Sequence, residues 1–100
     1  MTESERIALT LALDSGLPYV GLRGVSPDPS LLVYLPAALV RTADIVPLRL
    51  QDNMLHVACA SPDVDLEEIR SRFPRLALEV SLSGAEEIRN VRAAMGEAAT

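Results

Sequence analysis

The sequence predicts an α+β fold, a small two-layer domain. Its three-stranded antiparallel or mixed sheet, a hairpin plus one strand, carries helices packed on one face, with short helices ahead of it. Three observations lead there. The apolar residues change period along the chain, from three-to-four spacing near both ends to alternation in the middle. Each alternating run has one consistent apolar side, which a sheet covered on one face needs. The chain has 100 residues, enough for one domain and one core. Hydrophobic residues make up 49%, with one Phe, two Tyr and no Trp, so that core is aliphatic.

The elements follow in order. Thr2 and Glu5 have capping-box spacing. Ile7, Ala8, Leu11 and Ala12 then recur at helical spacing, with Leu9 and Leu13 beside them. Gly16 and Pro18 stand where a helix ends, so the first helix is read over 3–15. A connector, 16–27, is broken by glycines and prolines. Within it Tyr19 to Leu22 suit a short extended piece. Asp28 and Pro29 make a helix start. Leu31, Leu32, Leu35, Leu39 and Val40 predict two short helices over 28–43, or one kinked at Pro36.

From 45 to 60 the period becomes two. Val46, Leu48 and Leu50 alternate, then Leu55, Val57 and Cys59, around a tight turn at Asp52-Asn53. Both turn residues tolerate φ > 0. Pro47 cannot donate a ladder hydrogen bond and belongs on an edge or near a strand start. A helix over 65–73 presents Leu66, Ile69 and Phe73, and Pro74 ends it. Leu76, Leu78 and Val80 share a face of a strand over 75–81. Ser83 and Glu86 open a last helix over 84–95, with Ile88, Val91 and Met95 on one side, and the residues after it fray. The expected core places Leu48, Leu50, Leu55, Val57, Leu76, Leu78 and Val80 under Leu66, Ile69, Ile88 and Val91.

Composition narrows function. The net charge of −5 argues against nonspecific nucleic-acid binding. All nine basic residues are Arg, forked donors suited to carboxylate or phosphate. The N-terminus does not read as a signal peptide, and no apolar run is long enough to span a membrane. A single cysteine allows no intrachain disulfide and fits a reducing compartment.

No residue set assembles a reaction. His56 and Cys59 are three apart on one strand and so point to opposite faces. Cys59 falls with Leu55 and Val57 and reads as a core thiol. A metal site would need partners that the chain lacks. Asp63, Asp65, Glu67, Glu68, Glu86 and Glu87 begin helices, where negative charge complements the dipole. "GLRG" lacks the Lys of a phosphate-binding P-loop. We therefore expect no catalytic, nucleotide-binding or metal-binding residues and no cofactor.

A docking surface is expected on the N-terminal layer: Tyr19, Leu22 and Arg23 of the connector with Leu31 and Tyr34 of the next helix. Tyr and Arg are enriched at binding hot spots. The plainer reading has both tyrosines completing a small core. The other candidate is the sheet face bearing Arg49, His56 and Glu79 beside Ala58 and Ala77.

The ordered segments "GLPYVGL", "LLVYLPAALV", "VPLRLQDNMLHVACASPDV" and "LSGAEEIRNVRAAM" resemble the N-terminal domain of type II secretion and type IV pilus assembly ATPases, over roughly residues 8 to 95. The resemblance implies a cytoplasmic, non-enzymatic docking or adaptor module. Its implied partner is the cytoplasmic region of an inner-membrane secretion or pilus component, with no nucleic acid and no membrane insertion. Some relatives bind cyclic di-GMP through segments beginning Arg-Leu-Gly. No such segment occurs here, and neither does a motor. A cyclic dinucleotide receptor using Arg23, Arg41 or Arg49 is the alternative.

Overall fold

A computed structural model describes residues 1–98. The elements are α1 (Glu3–Ser15), a 3-10 helix (Pro29–Tyr34), α2 (Ala37–Thr42), β1 (Ile45–Gln51), β2 (Met54–Cys59), α3 (Glu67–Arg72), β3 (Ala77–Leu82) and α4 (Ala85–Ala98). The final helix thus includes Gly96 to Ala98, which the sequence reading had fraying. The last two residues of that reading lie outside the described residues.

Local chemistry sets these limits. At α1 the Thr2 hydroxyl accepts from the Glu5 amide and the Glu5 carboxylate accepts from the Thr2 amide, a reciprocal capping box. Gly16 ends the helix at φ 77°, where any side chain would be strained, and its N–H donates to Ala12. Asp28 caps the 3-10 helix by accepting from the Ser30 amide at 3.0 Å, with Pro29 inside the first turn. Leu35 is extended (φ −95°, ψ 115°), as a residue before proline prefers. That break at Leu35-Pro36 gives two short helices rather than one kinked helix.

The sheet has the order β1-β2-β3, with β1 antiparallel and β3 parallel to β2. Asp52 (φ 54°) and Asn53 (φ 62°) form a two-residue turn with both residues left-handed, the geometry whose twist matches flanking strands. Pro47 lies opposite Val57. The Ala60 amide donates to Asp44, so the bonded pairs fall at even positions of β2. Pro47 therefore occupies a non-bonded position on an edge strand, where its missing N–H costs nothing.

A register shift between Pro47 and Arg49 corrects the simple alternation expected of β1. Val46 is opposite Ala58, whereas Leu50 is opposite Leu55. Across a sheet, opposed residues share a face. Val46 and Leu50 thus lie on opposite faces, because one extra residue at a bulge inverts the order. One face carries Ile45, Pro47, Leu55, Val57, Cys59, Leu78, Val80 and Leu82, and the other Val46, Arg49, His56, Ala58 and Glu79.

The core is built from Ile45, Val46, Leu55, Val57, Ala58, Cys59 and Leu82 of the strands with Leu31, Leu35, Leu39, Leu66, Ile69, Ile88 and Met95 of the helices. Leu48, Leu76, Leu78, Val80 and Val91, expected at its centre, are only half-buried, and Leu50 is 39% exposed. Leu78 and Val80 lie on the outer strand β3, and Leu50 lies beside the hairpin turn. Ala58, expected on the open face, is fully buried. Helix α4 touches β1, β2 and the 3-10 helix, and α1 touches α4 and β3. Only Ala8 and Ala12 of α1 are buried, while Ile7 and Leu13 are exposed.

Candidate interaction surface

The connector is fastened to the sheet. Tyr19 makes a one-residue parallel bridge with Leu82. The Leu82 amide donates to Pro18 O at 2.8 Å, and the Val20 amide donates to Leu82 O at 2.9 Å. The Ser83 hydroxyl donates to Val20 O. Leu22 then turns inward and is buried, and Gly24 reverses the chain at φ 77°. Arg23 lies between them, exposed on a turn anchored from both sides.

Arg23 borders a shallow cleft of about 240 Å³ with Thr2, Glu5, Glu87, Asn90 and Val91. The carboxylates of that cleft are already engaged. Glu87 accepts from the Thr2 hydroxyl at 2.8 Å and from the Ser4 hydroxyl at 3.0 Å. Glu5 accepts from the Thr2 amide and from the Tyr19 hydroxyl at 3.3 Å. The Thr2 amide, ahead of the Thr2 and Tyr19 hydroxyls, holds the Glu5 carboxyl below its ordinary range. Burial, then the adjacent Glu5 charge, pushes the Tyr19 phenol up. Among the described residues Arg23 makes no ion pair.

The five residues expected to form a docking surface therefore separate. Leu22 and Leu31 are core residues that position their neighbours. Tyr19 is half-buried against α1. Tyr34 stands elsewhere, with its ring 4.9 Å from that of Phe73 in an edge-to-face pair. These two rings line a second concavity with Asn53, Arg72, Arg75 and Leu76. Sequence reasoning missed this grouping. The run "RSRFPR", with three arginines around the one phenylalanine, was its only local signal.

Arg23, Arg41 and Arg49 are exposed on three different elements, the connector, α2 and β1. His56 Nδ1 lies 3.6 Å from Glu79 Oε2 on the face opposite Cys59. Burial pushes the Cys59 thiol up to about 12, so almost no thiolate exists at neutral pH. Among the described residues no His, Cys, Asp and Glu group is arranged to hold a metal, and no helix is long and apolar enough to cross a membrane.

Residues 15–98 match the MshEN domain family. The chain belongs to that family. Solved structures agree on the fold. The N-terminal domain of XpsE superposes with a TM-score of 0.70 at 23% identity, covering 90% of this chain and 64% of that one. A structure of MshE with cdg superposes at 0.73 with 18% identity, covering 95% of this chain and 69% of that one. The chain thus spans somewhat less than two thirds of the XpsE domain structure. No curated protein matches it. The resemblance to the N-terminal domain of secretion and pilus ATPases holds at the level of family and fold.

Proposed function

We propose that this MshEN domain is a non-catalytic docking module. Its partner is the cytoplasmic region of an inner-membrane secretion or pilus component, and its contact surface is centred on Arg23 with Tyr19 beside it. Leu22 and Leu31 act from beneath as the packed base, and Tyr34 borders a separate cleft. The observation that carries this reading is the guanidinium of Arg23. It is exposed and without an ion pair among the described residues, on a turn held by Leu22, Gly24 and the Tyr19 bridge. A pre-organised Arg loses little entropy on binding and suits a carboxylate on the partner. Titration with that cytoplasmic region tests it. Arg23→Ala weakens binding about tenfold or more, the range for losing a charge-assisted hydrogen bond, with circular dichroism unchanged. Unaltered binding by Arg23→Ala, with loss on Arg49→Ala or Glu79→Ala, moves the surface to the sheet face.

The second reading is a cyclic di-GMP receptor, which the structure of MshE with cdg favours. Against it, the three candidate arginines sit on separate elements and no Arg-Leu-Gly occurs. Calorimetric titration separates the two. A Kd near or below ~1 μM, about −8 kcal/mol, establishes the receptor reading.

A further inference from the structure

The two edges of the sheet differ in kind. The β1 edge carries Pro47, which has no N–H, and a bulge beside it. Both features discourage another strand from adding there. The β3 edge has neither.

The direction of each β3 backbone group follows from four hydrogen bonds. The Ala77 amide donates to Asn53 O at 2.8 Å and the Ser83 amide donates to Cys59 O at 3.0 Å, so odd positions of β3 face β2. Leu82 donates and accepts on the other side, to Pro18 and from Val20. In a parallel ladder the facing direction alternates residue by residue. The N–H and C=O groups of Leu78 and Val80 therefore point outward, away from β2.

The connector does not reach them. Its ladder with β3 stops at Pro18, which has no N–H to continue it, and Gly16 ends α1 just before. Among the described residues no hydrogen bond is formed by the outward groups of Leu78 or Val80. None of the residues from Ala77 to Ser81 is buried, whereas Leu55, Val57, Ala58 and Cys59 of β2 all are.

We propose that the β3 edge, at Leu78 and Val80, binds an extended peptide segment as an added strand. Four backbone groups are available, and the Tyr19 bridge already supplies a neighbouring strand position at Leu82. Strand addition of this kind takes affinity from main-chain bonds and specificity from alternate side chains. The side chains here define the occupant. Leu78 and Val80 offer a half-buried apolar face, and Glu79 on the other face is 52% exposed, with His56 Nδ1 3.6 Å from its carboxylate. The complementary segment has apolar residues at alternate positions and a basic residue beside Glu79.

Amide exchange followed by NMR tests this site independently of Arg23. In the free protein the amides of Leu78 and Val80 exchange at least about tenfold faster than those of Ala77, Glu79 and Ser81. The probe is an acetylated five-residue peptide of threonine and valine around a central arginine. It slows exchange at Leu78 and Val80, and the same peptide with glutamate at the centre does so at least about tenfold more weakly. Equal protection of all five amides in the free protein overturns the proposal, because the edge is then already covered. So does a peptide that leaves Leu78 and Val80 unaffected at millimolar concentration. Protection that rises with protein concentration alone also overturns it, in favour of a second copy of this chain.

Discussion

The two ends of the sheet are built from similar residues and behave differently. At the end holding Ile45, Val46, Ala58, Cys59 and Leu82, residues of both faces are sealed from water. At the hairpin end Leu50 is 39% exposed, Leu78 is half-buried, and Gln51 and Ala77 are exposed. The helices explain the difference. The N-terminus of α4 follows β3 directly, and α1 is fastened to it through Ser4 and Glu87, so both elements converge beside Leu82. The turn residues Asp52 and Asn53 are exposed. Apolar alternation marks a face of a strand but not which end of it other elements cover.

The largest expected contrast is in side-chain truncation. Leu82→Ala costs about 2–5 kcal/mol in urea unfolding, because Leu82 is fully buried and its cavity has little room to collapse. Leu78→Ala costs about 1 kcal/mol, as for a side chain already half in water. Equal losses at the two positions would erase the distinction between the ends.

Gly84→Ala tests the fastening itself. A Cβ there would stand 2.5 Å from Glu87 Oε1, 2.8 Å from Ser4 Oγ and 3.0 Å from the Glu5 backbone nitrogen. The two side chains can rotate away, but the backbone of α1 must shift. We expect a loss of about 1–3 kcal/mol, with no comparable effect from alanine at Gly96, where a Cβ meets nothing within 4 Å. Thr2→Ala removes the cap of α1 and costs about 1 kcal/mol.

The smallest effect is on acid stability. The Glu5 carboxyl is held below its unfolded value chiefly by the Thr2 amide. Between the lowered value and the ordinary one, the unfolded chain binds more protons. The contribution of Glu5 is thus present above the ordinary carboxylate range and lost as pH falls through the lowered value. Glu5→Gln should flatten the fall in stability below about pH 4.5. An unchanged slope would show that the capping box does not bear on acid stability.

Much of this architecture was legible residue by residue. Thr2, Glu5 and Gly16 mark α1 because caps are local chemistry, and Asp52-Asn53 marks the turn because few residues accept two positive φ angles. The bulge was not legible. Pro47-Leu48-Arg49 continues an alternating pattern that the ladder interrupts, and the interruption is decided by the partner strand. The Tyr19–Leu82 bridge is one residue long and leaves no period to detect. The Tyr34–Phe73 contact joins distant segments. Leu22 and Leu31 were expected at a surface because an aliphatic side chain reads the same whether it binds a partner or fills a core. Arg23 was singled out by its residue type as a candidate, while its anchored presentation came only with the fold.

The mixed sheet also has a consequence in time. β2 meets β1 across a two-residue turn but meets β3 only after α3 and its flanking loops have closed. A hairpin forms within about 1–10 μs, whereas a pairing between distant segments waits for that closure. Helix α1 and the connector both hold onto β3, so they assemble after it. We expect these late contacts to be absent from the folding transition state. Leu82→Ala should therefore accelerate unfolding and leave the refolding rate nearly unchanged in stopped-flow measurements. Asn53→Gly, at the turn that forms first, should raise the refolding rate instead.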